Sequence, residues 1–237
     1  MTYKWNYLTL TTDQKNKKNE LTKEIQIDPV LTELLLKRGI SSVEEAQKFL
    51  YPSLSDLHDP FLLPDMEEAI RRIEQAIGNK ERILIYGDYD VDGTTAVSLV
   101  YKFLRKITNN IDYYIPDRYD EGYGISIQGI DYAVETDVKL IISLDCGIKA
   151  IKKVAYAKEH GIDFIICDHH MPDEELPDAV AVVDAKRADS IYPYNELSGC
   201  GVGFKLVHAF SIRNGLAFSD IEPLLDALAA RAAASGG

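Results

Sequence analysis

The chain has 237 residues, 46% of them hydrophobic and 27% charged, with a formal net charge of −12. That is the composition of a soluble globular protein large enough for one generous domain with a helical annex. Such an acidic surface excludes a protein that coats nucleic acid by bulk charge, so any polyphosphate must be held locally, by cations and a few placed Arg or Lys residues.

Three cysteines, Cys146, Cys167 and Cys200, form no CxxC pair. An odd, sparse set argues against a disulfide framework and for a reducing cytosol, with the thiols as small buried hydrophobes at strand ends. No apolar run approaches the ~20 residues needed to span a bilayer. The polar N-terminus has no apolar signal-like core. A cytoplasmic protein with no membrane partner is expected.

Residues 1–24 read as a weakly ordered entry segment that Trp5 and Tyr7 could anchor. Residues 28–50 read as short helices. Leu31, Leu34 and Leu35 fall at helical spacing, Gly39 marks a stop, and Ser42 with Glu45 forms a capping-box pattern. Three prolines make 52–65 an extended linker. From residue 66 helices and strands alternate. Helices are predicted at 66–77, 93–107, 127–135, 148–160 and 202–214. Strands are predicted at 82–86, 111–115, 139–143, 164–167 and 179–183. Nearly continuous apolar strands between helices predict an α/β fold, a parallel sheet with helices on both faces, preceded by a small helical N-terminal segment. The Ala-rich stretch from 227 has low complexity; it favours a helix and resembles a truncated or artificial end.

Ligands of parallel sheets bind beyond the carboxyl ends of the strands. Asp88, Asp90 and Asp92 follow strand 82–86, Asp145 follows strand 139–143, and Asp168-His169-His170 follows strand 164–167. Three acids at i, i+2 and i+4 on a tight turn can face one point, where only a cation relieves their repulsion. Mixed carboxylate and imidazole donors suit Mn²⁺ and, less specifically, Mg²⁺ or Zn²⁺. Plainer readings stand beside this one. The acidic turn could cap the next helix, and Asp145 could cap helix 148–160. Arg118 could hold a phosphate in a bidentate contact or pair with Asp117 or Asp120. Gly199, Gly201 and Gly203 could offer free amides to a phosphate, with Lys205 adding charge, or serve tight packing alone.

These residues carry a resemblance to the DHH phosphoesterase family, whose signature run stands here as Asp168-His169-His170. Tyr86 to Gly93 and Ser143 to Gly147 match the same core. Stretches 36–40, 57–63, 115–124 and 197–205 resemble the branch of single-strand-specific 5′→3′ exonucleases. The resemblance implies an N-terminal annex over 1–65, a phosphoesterase domain over 66–226 and a separate tail over 227–237.

It implies metal-dependent hydrolysis of single-stranded DNA from the 5′ end, in repair and recombination, alongside repair or replication proteins. Asp88, Asp90, Asp92, Asp145 and His169 would hold Mn²⁺ or Mg²⁺, two ions in the intact site, with Asp145 the bridge. His170 would contact the scissile phosphate, and Asp168 would orient a histidine. Arg118, Ser198, Gly201 and Lys205 would contact substrate. The family pattern places one more Asp near Ser235, where none stands, so an N-terminal fragment with one ligand missing is expected. The alternatives are a phosphodiesterase of small nucleotides, such as an oligoribonuclease, and an inactive binding module.

Overall fold

The computed structural model describes residues 9–234, with side chains to residue 230. Trp5, Tyr7 and Ser235 lie outside the described residues. The chain divides into two compact units between Leu57 and His58.

The first unit is helical: α1 (Thr12–Ile25), α2 (Pro29–Lys37) and α3 (Val43–Leu50). For residues 12–24 the expectation of a weakly ordered segment over 1–24 is corrected by α1; residues 1–8 lie outside the described residues. Its polar sequence hides the helix, because Leu21 is its one buried residue and supplies no periodicity. What starts it is a capping box between Thr11 and Gln14. What holds it is a Lys18–Glu33 ion pair of 2.7 Å and a 3.0 Å hydrogen bond from Thr22 to Thr32, both to α2. The predicted Ser42–Glu45 box is present at the start of α3. Ser42→Ala is expected to cost about 1 kcal/mol, visible as faster amide exchange confined to α3.

The linker is less extended than its prolines suggest, with 3₁₀ turns at Leu54–Asp56 and Pro60–Leu62. Asp59 caps the second by accepting from the Phe61 amide.

The second unit runs α4 (Met66–Gly78), β1 (Arg82–Gly87), α5 (Val91–Leu104), β2 (Ile111–Tyr114), α6 (Ile127–Glu135), β3 (Val138–Leu144), α7 (Ile151–Glu159), β4 (Asp163–Cys167), β5 (Ala181–Val183), α8 (Gly199–Arg213) and α9 (Leu225–Ala234). All five strands are parallel, in the order β2-β1-β3-β4-β5. Leu84, Ile141, Phe164 and Ile166 form one core with Ile130 and Ala133 of α6 and Val154 and Ala157 of α7. Against the other face, α4, α5 and α8 meet through Ile73, Val100, Leu206 and an edge-on Phe103–Phe210 pair.

Helix starts differ from the predicted ones where a side chain caps earlier or later. α5 begins at Val91 because Asp90 accepts from the Gly93 amide, and α8 begins at Gly199 because Ser198 accepts from the Gly201 amide. α7 begins only at Ile151, because the Ile148 amide donates to Asp168 instead of to a helix. No helix among the described residues is long and apolar enough to cross a membrane.

Candidate metal centre

Register builds the site. Gly87 pairs with Leu144, Leu144 with Cys167, and Cys167 with Val183. The next residue on each of these four adjacent strands is an aspartate: Asp88, Asp145, Asp168 and Asp184. Their exposures are 0%, 1%, 1% and 0%. Four buried carboxylates in one row oppose each other's ionisation. At the other edge of the sheet the acids sit on guanidinium groups: Arg72 donates to Asp163 at 2.6 Å and Arg82 to Asp112 at 3.0 Å. Among the described residues no Lys or Arg pairs with Asp88, Asp145, Asp168 or Asp184.

Each member is held differently. Asp88 accepts from the Tyr89 and Gly124 amides, and burial holds its carboxyl above the usual range. Asp90 is exposed and caps α5, as the plainer reading of the acidic turn expects. Asp92 reaches across the unit and caps α8, its two oxygens accepting from the Gly199 and Cys200 amides at 2.9 and 2.8 Å. The helix N-terminus thereby meets a fixed negative charge.

Asp145 caps nothing. It has a positive φ of 61°, and its amide donates to the Cys167 carbonyl. Its Oδ1 is buried with no well-formed hydrogen bond, 3.0 Å from His169 Nε2. A Cβ on Gly199 would lie 2.4 Å from that oxygen, so the first turn of α8 closes the other side. Burial pushes the Asp145 carboxyl up to about 6; His169 opposes this, and Asp92 and Asp90 reinforce it.

Asp168 organises the loop. Its Oδ1 accepts from the His169 and His170 amides and from His170 Nδ1 at 2.7 Å, and its Oδ2 accepts from the Ile148 amide. Burial works against its charge, yet the His170 and Ile148 bonds hold its carboxyl below the usual range. His170 in turn is held above the ordinary imidazole value by Asp168. Its Nε2 lies 3.3 Å from the Tyr123 hydroxyl.

The donor atoms of Asp145, His169 and His170 lie within 4.8 Å of one another. A divalent cation fits this set: a buried carboxylate oxygen without a proper donor faces an imidazole nitrogen, and both are suitable ligands.

Asp184 is the residue that sequence reasoning misses. Its Oδ1 accepts from the Lys186 amide, while its Oδ2 is buried without a partner, and burial pushes its carboxyl up to about 6. The rule that found Asp88, Asp145 and Asp168, an acid directly after an apolar strand, also selects it. No histidine or adjacent acid marks it in the sequence.

The substrate-contact candidates are scattered. Arg118 is exposed, and its guanidinium lies over the Tyr89 ring at 5.3 Å instead of pairing with Asp117 or Asp120. The amides of Gly199, Cys200 and Gly201 are already taken, by Asp92 and by the Ser198 hydroxyl. Lys205 is buried; its ammonium donates to the His58 carbonyl at 2.7 Å, and burial pushes it down to about 8. Cys146, Cys167 and Cys200 are all free and buried, as expected.

The shifts fix a pH dependence. A carboxyl raised to about 6 keeps its proton in the fold after the unfolded chain has lost it, so its ionisation costs stability as pH rises. From a model value of 3.8 that is on the order of 3 kcal/mol for Asp145 or Asp184 near neutrality. The raised His170 acts in the same direction, and its stabilisation is lost as pH rises through its folded value. Metal-free protein is therefore expected to melt at lower temperature at pH 8 than at pH 5, with Mn²⁺ reversing the trend. Melts in EDTA that are flat over this range would contradict it.

A family model described as the DHH family, N-terminal domain, matches residues 82–236. The single-stranded-DNA-specific exonuclease RecJ of Bacillus subtilis is 46% identical over 195 residues, covering 82% of this chain and 25% of that protein. The protein of the same name from Escherichia coli is 32% identical over 215 residues, covering 86% and 36%. The crystal structure of RecJ in complex with Mn²⁺ from Thermus thermophilus matches with a TM-score of 0.68 at 25% identity, over 86% of this chain and 28% of that chain. A crystal structure of exonuclease RecJ bound to manganese matches with a TM-score of 0.60 at 31% identity, over 65% and 39%. The chain thus spans about a quarter to a third of the length of these curated relatives.

Proposed function

The chain belongs to the DHH family, and from that premise we propose that it carries the metal-holding half of a phosphodiesterase that degrades single-stranded DNA from its 5′ end. The observation that carries this reading is the row of buried strand-end aspartates with the Asp145 oxygen left without a proper donor beside His169. The relatives' names supply the substrate class, and the two solved structures with manganese support the metal.

Asp88, Asp90, Asp92, Asp145 and His169 would hold Mn²⁺ or Mg²⁺, two ions in the intact site. The chemistry supplied there is charge neutralisation at the phosphate and a nucleophilic water at neutral pH. The chain's own residues do the rest. Asp168 accepts from His170 Nδ1–H and favours the imidazolium, whose second proton on Nε2 would be donated to a phosphate oxygen or to the leaving oxygen. Asp92 ties the site to α8 through its two amide bonds. Tyr89 stacks under Arg118 and meets Tyr123 edge-on at 6.0 Å, and Tyr123 meets His170 at 6.3 Å. That line of rings and a guanidinium leads to the phosphate site and suits a single strand, whose unpaired bases stack on such groups. Ser198, Gly201 and Lys205 would act by shaping α8, which packs beside Asp145. A role in DNA repair and recombination, in a reducing cytoplasm and beside repair or replication proteins, follows from the same reading.

The test compares Mn²⁺-dependent release of mononucleotides from 5′-phosphorylated single-stranded DNA, duplex DNA and dinucleotides by the intact polypeptide carrying this segment. Preference for the long single strand is expected. Preference for dinucleotides would favour a small-nucleotide phosphodiesterase, and no hydrolysis of any would favour a binding module.

A further inference from the structure

Beside the metal-holding row lies a cavity of about 290 Å³ that none of the proposed ligands fills. Asp168 and His170 form its boundary with the site. Its walls are otherwise mainly apolar: Ile125, Ile148 and Ala150, with the Tyr123 ring at the rim. Ile125 and Ile148 are themselves buried, so the walls are fixed by the core. The Asp168 bond to the Ile148 amide locks one wall to the DHH loop. Lys153 donates to the Ile125 carbonyl and closes another.

In a chain of net charge −12 the opening is locally basic. Lys149 and Lys153 line it, and Lys152 is exposed on the same turn of chain. Lys149 pairs with Asp173 where both are half-exposed, an arrangement that another anion can displace at little cost. The volume lies at the lower end of the ~300–1,000 Å³ usual for small-molecule sites, enough for one planar ring system.

We infer that this cavity is a nucleobase subsite: it takes the base of a nucleotide whose phosphate lies at His170 and the metal-holding row, with the lysines facing the adjoining anionic backbone. The inference rests on the proposed phosphodiesterase reading for the position of the phosphate. Three features select the ligand. A phosphate alone has no use for apolar walls, and an apolar ligand has no use for lysines at the mouth. The shared boundary at Asp168 and His170 requires both parts in one molecule. The walls offer few polar groups to read base edges, so purines and pyrimidines should be accepted alike.

The test does not depend on hydrolysis. The ¹³C-methyl spectra of the 237-residue chain in excess Mg²⁺, a diamagnetic ion, are recorded with dAMP, with dTMP and with deoxyribose 5-phosphate. Both nucleotides are expected to shift the methyl groups of Ile125, Ile148 and Ala150, and the base-free phosphate to leave them in place. Ala150→Phe, which fills the cavity, is expected to weaken nucleotide binding at least ~10-fold, about 1.4 kcal/mol, without changing Mn²⁺ affinity. Equal shifts from all three ligands, shifts elsewhere, or unchanged binding by Ala150→Phe would overturn the inference. Should that variant fail to fold, the wild-type methyl map decides alone: shifts at the three residues sustain the subsite, and their absence removes it. Nucleotide binding at these methyls without any nuclease activity in the intact polypeptide would defeat the proposed function and keep the subsite. Nuclease activity without such binding would do the reverse.

Discussion

Asp145→Ala is expected to lower Mn²⁺-dependent hydrolysis by the intact polypeptide by at least roughly 10²–10³-fold, the usual cost of removing one electrostatic partner of a reacting group. The same change should not unfold the chain. In the metal-free fold Asp145 is a buried carboxylate raised to about 6, and its Oδ1 has no proper donor. Removing it relieves an ionisation cost and leaves a small void beside Gly199 and His169. At pH 8 in EDTA the variant should melt at or a few degrees above the wild type, since 1 kcal/mol corresponds to about 2–4 °C in a chain of this size. With Mn²⁺ the order should invert, because the wild type gains binding energy that the variant lacks. A variant that kept full activity, or one that was unstable in EDTA, would show Asp145 to be structural.

The second large effect is opposite in kind. Gly93→Ala is expected to destabilise the sheet unit by roughly 3 kcal/mol or more, since the collision is with backbone that cannot swing aside. A Cβ there would meet the Asp88 carbonyl oxygen at 2.5 Å and the Asp88 nitrogen at 2.6 Å. Thermal melts should show a fall of about 6–12 °C. Gly78→Ala, at the end of α4 where no atom lies within 4 Å, serves as control and should be neutral or slightly stabilising. If both changes proved equally mild, the close approach of α5 to the Asp88 turn would be wrong. The glycine after the acidic turn therefore serves packing first; it lets α5 start against the strand end and brings Asp88, Asp90 and Asp92 to the site.

Much of the second unit was legible because its signals are local. Short apolar runs mark β1, β3 and β4, strands of five to seven residues, and helix 127–135 falls on its predicted bounds because Ser126 caps it and its apolar face repeats at helical spacing. The Asp168-His169-His170 run, read from the sequence, became a rigid loop because one carboxylate satisfies two amides and a ring nitrogen next to it. The α1 helix was missed because a polar helix carries no periodicity, although its cap was present in Thr11 and Gln14.

The sequence by itself determined that acids and histidines follow apolar strands, since strand, turn and cap are decided within a few residues of each other. Only the tertiary structure decided which of them meet. Strand register puts Asp88, Asp145, Asp168 and Asp184 in one row, and it is set by pairing across distant parts of the chain. Asp92 caps a helix more than a hundred positions away, which turns a candidate ligand into a strut as well. The amides of α8, open to a phosphate when read locally, are filled by that same carboxylate and by Ser198. Burial, the quantity that raises Asp145 and Asp184 and leaves one oxygen on each without a proper donor, belongs to no residue alone. It comes from packing helices on both faces of a sheet whose carboxyl edge is lined with charge.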